Sequence, residues 1–342
     1  MACSPEDFPQ LWQKPAFELL FDCLQQLRVD PPVWNFKISR AEIQREQDTT
    51  VQLRRQVSAY LSNIIKSNLD WIEDEDLREE LWTEASKRLS ERCGRAAMGE
   101  ITRCWPFERS DHAAFELAIR EPPLTGDSLG LKTWGSSYLL ALMLGQFAET
   151  SMRHLLAADR EGGPATALEL GSGTGLLGLA AAAIWKSKVV LSDLPIIMSN
   201  LVFNVEQNRQ IIESLGGQVD SGALTWGGEE DEIDQEIFHK KHEYQIVLAA
   251  DPLYDDEHPE LLAGAIHDQL CLPSAARALV MVPRRDETTV NLLSKFRQIM
   301  EQQPMPLVCV EEGLVPGQDD WEEDEDTPQV ECWWGVFQRT DV

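Results

Sequence analysis

The chain has 342 residues, a formal net charge of −28 and 43% hydrophobic residues, with eleven tryptophans. That length suits about two domains, or one with a long extension, and the apolar content excludes global disorder. Binding nucleic acid means neutralising phosphates with Lys and Arg, so no nucleic-acid partner is expected and a basic protein partner fits better.

The first hundred residues are patterned as helix. In "FPQLWQKPAFELLFDCLQQLRV" the residues Phe17, Leu20, Phe21, Leu24 and Leu27 fall on one helical face. "DPPVWNF", with two prolines, interrupts it. A second helix is expected from about Thr49 to Lys66, with Val57, Tyr60, Leu61 and Ile64 on one side. A third is expected over "DWIEDEDLREELWTEASKRLSERCGRAA", where Asp74 can cap and Leu77, Leu81, Ala85 and Leu89 recur every fourth residue. No chemistry-bearing motif occurs here, so residues 1–120 read as a helical extension that packs or adapts.

After "EPPLTGDSLG" (121–130) the pattern changes. "WGSSYLLALMLGQFAETSMRHLLAA" reads as a helix, and short apolar strands then alternate with helices. The expected strands are Thr166–Leu170, Lys188–Ser192, Gly222–Trp226, Tyr244–Ala250, Ala278–Val282, Leu307–Val310 and Val330–Gln338. Such alternation predicts an α/β fold, a mostly parallel sheet covered on both faces. The last strand follows an acidic loop and is expected to insert as an antiparallel hairpin partner. Two acidic runs, 229–236 and 319–326, read as solvated loops.

Seven scattered cysteines without a CxxC pair give neither a disulfide framework nor zinc spacing. His239 and His242 in "HKKHE" lack a third ligand, so they read as exposed and no metal is expected. No basic-then-apolar leader opens the chain, and the longest apolar stretch, Leu176 to Trp185, is too short to span a bilayer. The cysteine usage and the lack of a leader point to a reducing compartment, cytosol or nucleus, and the expectation is a cytoplasmic monomer with no membrane contact.

The loop "ALELGSGTGLLGLAAA" has the form strand, glycine turn, helix. Gly173-x-Gly175-x-x-Gly178 satisfies the dinucleotide fingerprint, which alone is a weak signal. Gly171, Gly173 and Gly175 extend it to E-x-G-x-G-x-G, with Glu169 inside the strand. An acid there is awkward for NAD, whose pyrophosphate lies on the helix N-terminus. It suits a zwitterionic ligand with an ammonium group and no phosphate, such as S-adenosylmethionine (SAM). Asp193 closes the next strand about 20 residues on, where a carboxylate accepts ribose hydroxyls of either ligand. Trp226, at the end of the third expected strand, can stack on adenine, and Trp134 can wall the cofactor; each is otherwise a core or rim aromatic.

Together "ELGSGTGLLG", "LSDLP", "LTWG" and "LAADPLYDDE" resemble the seven-β-strand (class I) protein-lysine methyltransferases of methyltransferase family sixteen. The resemblance spans about 121–338 and implies that 121–342 is a SAM-dependent methyltransferase domain with a Rossmann-like seven-stranded sheet. Upstream, "WIEDEDLREELWTEASKRLSERCGRAA" and "EPPLTGDSLGLKTWGSSYLLA" are similar to the fungal members that methylate translation elongation factors two and three. The resemblance implies that Trp134 lines the SAM pocket. Gly171, Ser172 and Gly173 would pass close to the methionine moiety. Asp193 would hold the ribose, Trp226 would flank the adenine, and Ala250 would touch the cofactor through its backbone. It also implies that the acidic-x-x-aromatic tetrad Asp251, Pro252, Leu253 and Tyr254 faces a substrate lysine.

Methyl transfer to an amine needs a neutral nucleophile aligned with the C–S bond, so positioning dominates. Asp251 can orient the amine and Tyr254 can wall its channel; otherwise Asp251 caps the next helix, although Asp255 or Asp256 would serve better. A methyltransferase for planar nitrogen would carry Asn/Asp-Pro-Pro-Tyr, and here Leu253 replaces the second proline. A non-catalytic SAM-binding protein is the third reading.

Overall fold

The computed structural model describes residues 8–28, 55–92, 99–108, 114–123, 129–157, 160, 163, 165–228, 232–318 and 329–340. The chain divides into two units, Met1–Ile101 and Thr102–Val342.

In the first unit, α1 (Phe17–Gln26), α2 (55–66) and α3 (Glu75–Ser90) bury most of the periodic residues expected from sequence, while Phe17, Phe21, Leu77 and Leu89 pack half-buried against them. Leu20, Leu24, Val57, Leu61, Ile64, Leu81 and Ala85 form one core. Asp74 caps α3 by accepting from the Asp76 N–H at 3.0 Å. Positions 49–54 of the expected second helix lie outside the described residues.

The helical pattern expected to about residue 105 stops earlier. Ile101–Phe107 and Phe115–Glu121 are strands β1 and β2 of a two-stranded sheet. In β1 the inward set is Ile101, Arg103, Trp105 and Phe107, while Cys104 faces out. An inward arginine and an outward cysteine invert the usual alternation and conceal the strand. Arg103 is tolerated inside because Glu121, equally buried, accepts from its Nε at 3.2 Å. The units therefore part about twenty residues before the boundary expected at 120.

The second unit continues with α4 (Gly135–Glu149), α5 (Arg153–Leu156), β3 (Ala167–Leu170), α6 (Leu176–Trp185), β4 (Lys188–Asp193), α7 (Pro195–Ser214) and β5 (Gln218–Ala223). It ends with α8 (Gln235–Phe238), β6 (Ile246–Ala250), α9 (His258–Gln269), β7 (Arg277–Pro283), α10 (Glu287–Gln302), β8 (Leu307–Gln318) and β9 (Gln329–Arg339). The sheet order is β5-β4-β3-β6-β7-β9-β8. Its first five strands are parallel, and β9 inserts antiparallel between β7 and β8, as expected. The central strands β3 and β6 are apolar runs buried on both faces, apart from Glu169.

The third strand starts and ends earlier than its expected range of Gly222–Trp226. At the sheet edge β5 alternates Val219 inward with Gln218 and Asp220 outward, so no apolar run marks it. Trp226 consequently lies in the turn beyond the strand. The acidic run 319–326 and residues 229–231 lie outside the described residues, while Asp234 caps α8. His242 is half-buried rather than exposed, its Nδ1 lying 3.1 Å from the Leu270 carbonyl.

One face of α7 anchors β2. Asn200, Asn204 and Asn208 sit four residues apart, so their amides line up. Asn208 and Asn204 accept from Ala118 N–H and Arg120 N–H, both at 2.9 Å, and donate to the same residues' carbonyls. Side chains thereby satisfy strand backbone that would otherwise be orphaned. The chain runs from β3 outward through β4 to β5, then returns to β6 on β3's other side. That reversal opens a crevice at the carboxyl ends of β3, β4 and β6.

Candidate active site

A cavity of about 490 Å³ fills that crevice. Of the residues selected from sequence, Trp134, Glu169, Gly171, Ser172, Gly173, Asp193, Trp226, Ala250, Asp251 and Tyr254 all line it. Gly175 does not. Its φ of 88° makes the last bend into α6, and an added Cβ would strike Leu201 at 2.8 Å. It packs the turn.

The loop before α6 needs its glycines. Gly171 and Gly173 have φ of 66° and 55°, the left-handed region that penalises side chains. A Cβ on Gly171 would press on the Trp226 ring at 3.3 Å. The loop is bolted on both sides. Gly173 N–H donates to Asp193 Oδ2 at 2.7 Å, and the Thr174 and Thr133 hydroxyls lie 2.8 Å apart.

Glu169 decides what the loop can hold. Its Oε2 accepts from the Gly178 N–H, inside the first turn of α6, at 2.9 Å. The helix N-terminus that would receive a pyrophosphate therefore already holds a carboxylate. Burial pushes the Glu169 carboxyl up to about 8, against the lowering pull of hydrogen bonds from Ser172 and Gly178, while the nearby Asp193 charge adds to the rise. Burial raises the Asp193 carboxyl as well, opposed by the N–H groups of Gly173 and Leu194. Neither acid is ion-paired to a described residue. A ligand bringing positive charge and hydroxyl donors suits this end; a phosphate does not.

At the opposite wall, Asp251 leaves β6 with φ of 58°, a strained conformation for a non-glycine. Its N–H is held by the Met281 carbonyl at 2.9 Å. Its carboxylate takes a two-pronged ion pair from Arg285, Nη1 to Oδ1 at 2.7 Å and Nη2 to Oδ2. Asp251 is thus no helix cap; Asp255 accepts from the Glu257 N–H ahead of α9 instead. Leu253 is fully buried in the sheet core and anchors the tetrad without facing the cavity. Tyr254 is 59% exposed at the mouth, its ring edge-on to His258 at 4.3 Å. His258 Nδ1 lies 2.9 Å from the Pro252 carbonyl, which must accept, and the His258 ring also reaches Trp226.

The cavity also gathers Arg285, His258 and Lys132, which no sequence motif singles out. Arg285 carries one signal: it follows β7 as Asp251 follows β6, and side chains beyond neighbouring parallel strands share a crevice.

A profile of the family described as "Lysine methyltransferase" matches residues 112–300. The chain belongs to the lysine methyltransferase family. Among curated relatives of this family, "Protein-lysine N-methyltransferase EFM2" of Saccharomyces cerevisiae is 32% identical over 80% of this chain and 64% of its own length. This chain therefore spans just under two thirds of that protein. "Protein-lysine N-methyltransferase rrg1" of Schizosaccharomyces pombe is 29% identical over 76% of this chain and 77% of its own. "EEF1A lysine methyltransferase 3" of Mus musculus is 32% identical over 40% and 51%. The lysine methyltransferase profile covers the glycine loop, Asp193, Trp226 and the Asp251–Tyr254 tetrad, and begins ahead of β2.

Proposed function

We propose that this protein is a SAM-dependent protein-lysine N-methyltransferase of the cytoplasm, and that its substrate is a translation elongation factor. One observation carries the reading. A single cavity joins cation-seeking acids on a phosphate-excluding glycine loop to the Asp251–Tyr254 wall. The elongation-factor assignment rests on the name of the mouse relative and on this chain's acidity, which suits a basic partner.

The cavity fits SAM on its own chemistry. Glu169 offers a carboxylate for the ammonium, and Asp193 offers oxygens already fixed by two N–H groups for the ribose. Trp226 offers a ring face for adenine, and Gly171 leaves the space that a Cβ would fill. When bound, SAM supplies an electrophilic methyl carbon on a sulfonium.

The protein's part is to present a neutral amine. A substrate lysine arrives as an ammonium, its pKa near 10.4. A bare carboxylate beside it would hold that proton. Arg285 offsets the charge of Asp251, so the pair accepts a hydrogen bond without fixing the ammonium. The exposed mouth at Tyr254 lets the proton leave to water. Planar-nitrogen chemistry fits less well, since the Pro252 carbonyl is already engaged by His258.

The test is incubation of the protein with methyl-labelled SAM and cell lysate. A labelled protein band at elongation-factor size, lost in Asp251→Ala while SAM binding persists, is expected. Label in RNA, or SAM binding without any label, overturns the reading.

A further inference from the structure

Past Tyr254 the chain turns at Asp255, whose carbonyl accepts from the His258 N–H at 3.2 Å, and enters α9 at His258. That turn folds the half-buried imidazole back onto the tetrad. Its Nδ1 lies 2.9 Å from the Pro252 carbonyl, and its ring meets Tyr254 edge-on. A carbonyl can only accept, so Nδ1 carries a proton. Nε2 of the neutral ring is then a bare acceptor. Among the described residues no hydrogen bond reaches Nε2, and the ring lines the cavity.

The other titratable acceptors of the lining already have uses. Glu169 and Asp193 face the cofactor in the SAM reading. Asp251 carries Arg285 on both oxygens. Tyr254 keeps its proton, because burial and the charges of Asp193, Asp251 and Asp255 raise its phenol. His258 remains, bonded to the carbonyl of the residue after Asp251. Imidazole is also the side chain best suited to take up and release a proton near neutral pH.

We infer that His258 Nε2 takes the proton of the substrate ammonium and relays it to water at the mouth. This inference rests on the lysine-methylation reading above and adds a residue to it. Proton transfer to Nε2 leaves a neutral amine. The amine lone pair forms the N–C bond as the C–S bond breaks, and the sulfur keeps that electron pair. The imidazolium then gives its proton to water. The charged groups around the ring are Asp251 and Asp255 in its own turn, Asp193 past β4, Arg285 on Asp251, and Glu260 of α9, paired with Lys295 of α10 at 3.2 Å. None of them changes in the variant below.

Nitrogen NMR of ring-labelled histidines in the free protein tests the tautomer without substrate. The signals lost in His258→Asn should show a neutral ring with its proton on Nδ1 and Nε2 bare. A neutral ring protonated on Nε2 overturns the inference and leaves the lysine reading standing. His258→Asn keeps an N–H for the Pro252 carbonyl but offers no basic nitrogen. With SAM binding retained in calorimetry as the check on folding, it should lower kcat near neutral pH roughly 10²–10⁴-fold, the range for a general base. The substrate is the lysate protein labelled in the assay above, purified. Wild-type kcat should level off once the imidazole is neutral. The variant's should climb about 10-fold per pH unit toward the lysine's own titration near 10.4. A variant with the wild-type rate and profile would show that His258 only pins Pro252, and the inference fails. If no lysate protein is labelled, the lysine reading falls and takes this inference with it.

Discussion

The two ends of the cavity bury carboxylates in opposite ways. Asp251 has a guanidinium on both oxygens. Glu169 and Asp193 have backbone N–H groups, with a hydroxyl helping Glu169. A carboxylate paired within the protein is electrically complete before any ligand arrives. One held only by neutral donors keeps its desolvation cost, which appears as a raised pKa until a cation is supplied. The first arrangement suits a group that must orient a substrate without trapping its charge. The second suits a group that must select a cationic cofactor.

Breaking the paired end should have the largest effect. Arg285→Met leaves a buried carboxylate without its partner, and such a loss costs about 3–5 kcal/mol. A urea-unfolding midpoint shift measures it. The double variant Arg285→Met/Asp251→Asn removes the stranded charge and should regain most of the stability. A double variant no more stable than the single one would show that packing, not pairing, holds this wall.

The unpaired end should behave in reverse. Glu169 titrates near 4.5 in an unfolded chain and at about 8 in the fold. Between those values the native state holds a proton that the unfolded state has lost. Its stabilising contribution is full below pH 4.5 and is lost as pH rises through 8. Glu169→Gln keeps an acceptor for Gly178 N–H and carries no charge. Without ligand it should be more stable than wild type at pH 8 by a few kcal/mol, at most about 1.4 kcal/mol for each pH unit between the unfolded and folded values. Near pH 4 the two should be equally stable. The same variant should bind SAM roughly 10-fold more weakly at pH 8. Wild-type affinity should climb from pH 6 toward 8 while the variant's stays flat, with the fall beyond set by the ligand's own amine. Parallel slopes in thermal melts and titrations would remove Glu169 from the account.

The contrast between the two ends also marks what the sequence could disclose. Glu169, the glycines and Asp193 fall within one strand-turn-helix-strand unit, so their spacing alone displays them. The Asp251 tetrad is equally local. Its partner Arg285 lies 34 residues away, across the β6–β7 pairing, and only the sheet register brings them together. For the same reason the sequence presents the carboxylate of Asp251 as facing a substrate amine alone. In the fold, apolar runs exposed the buried strands, whereas edge strand β5 and the arginine-bearing β1 lacked that signature. Gly175 fits the motif yet serves the turn, because a fingerprint records which residues a loop needs, not which ones a ligand touches.

Tyr254 stands in the field of both ends, and its variant gives the smallest expected effect. Partial burial raises its phenol, and the charges of Asp193, Asp251 and Asp255 raise it further. A phenol held neutral by burial and by nearby acids is a poor proton acceptor at pH 7 to 8. Its use is then the ring, set edge-on to His258 at the mouth. A residue acting as general base contributes about 10²–10⁴-fold in rate. Tyr254→Phe keeps the ring and should lower kcat by less than about 5-fold, well under the general-base range, with an unchanged pH profile. Tyr254→Ala should raise KM for the protein substrate. A Tyr254→Phe loss within the general-base range would move proton abstraction from water to this hydroxyl. It would make the mouth, not the Asp251–Arg285 pair, the place where the amine is neutralised.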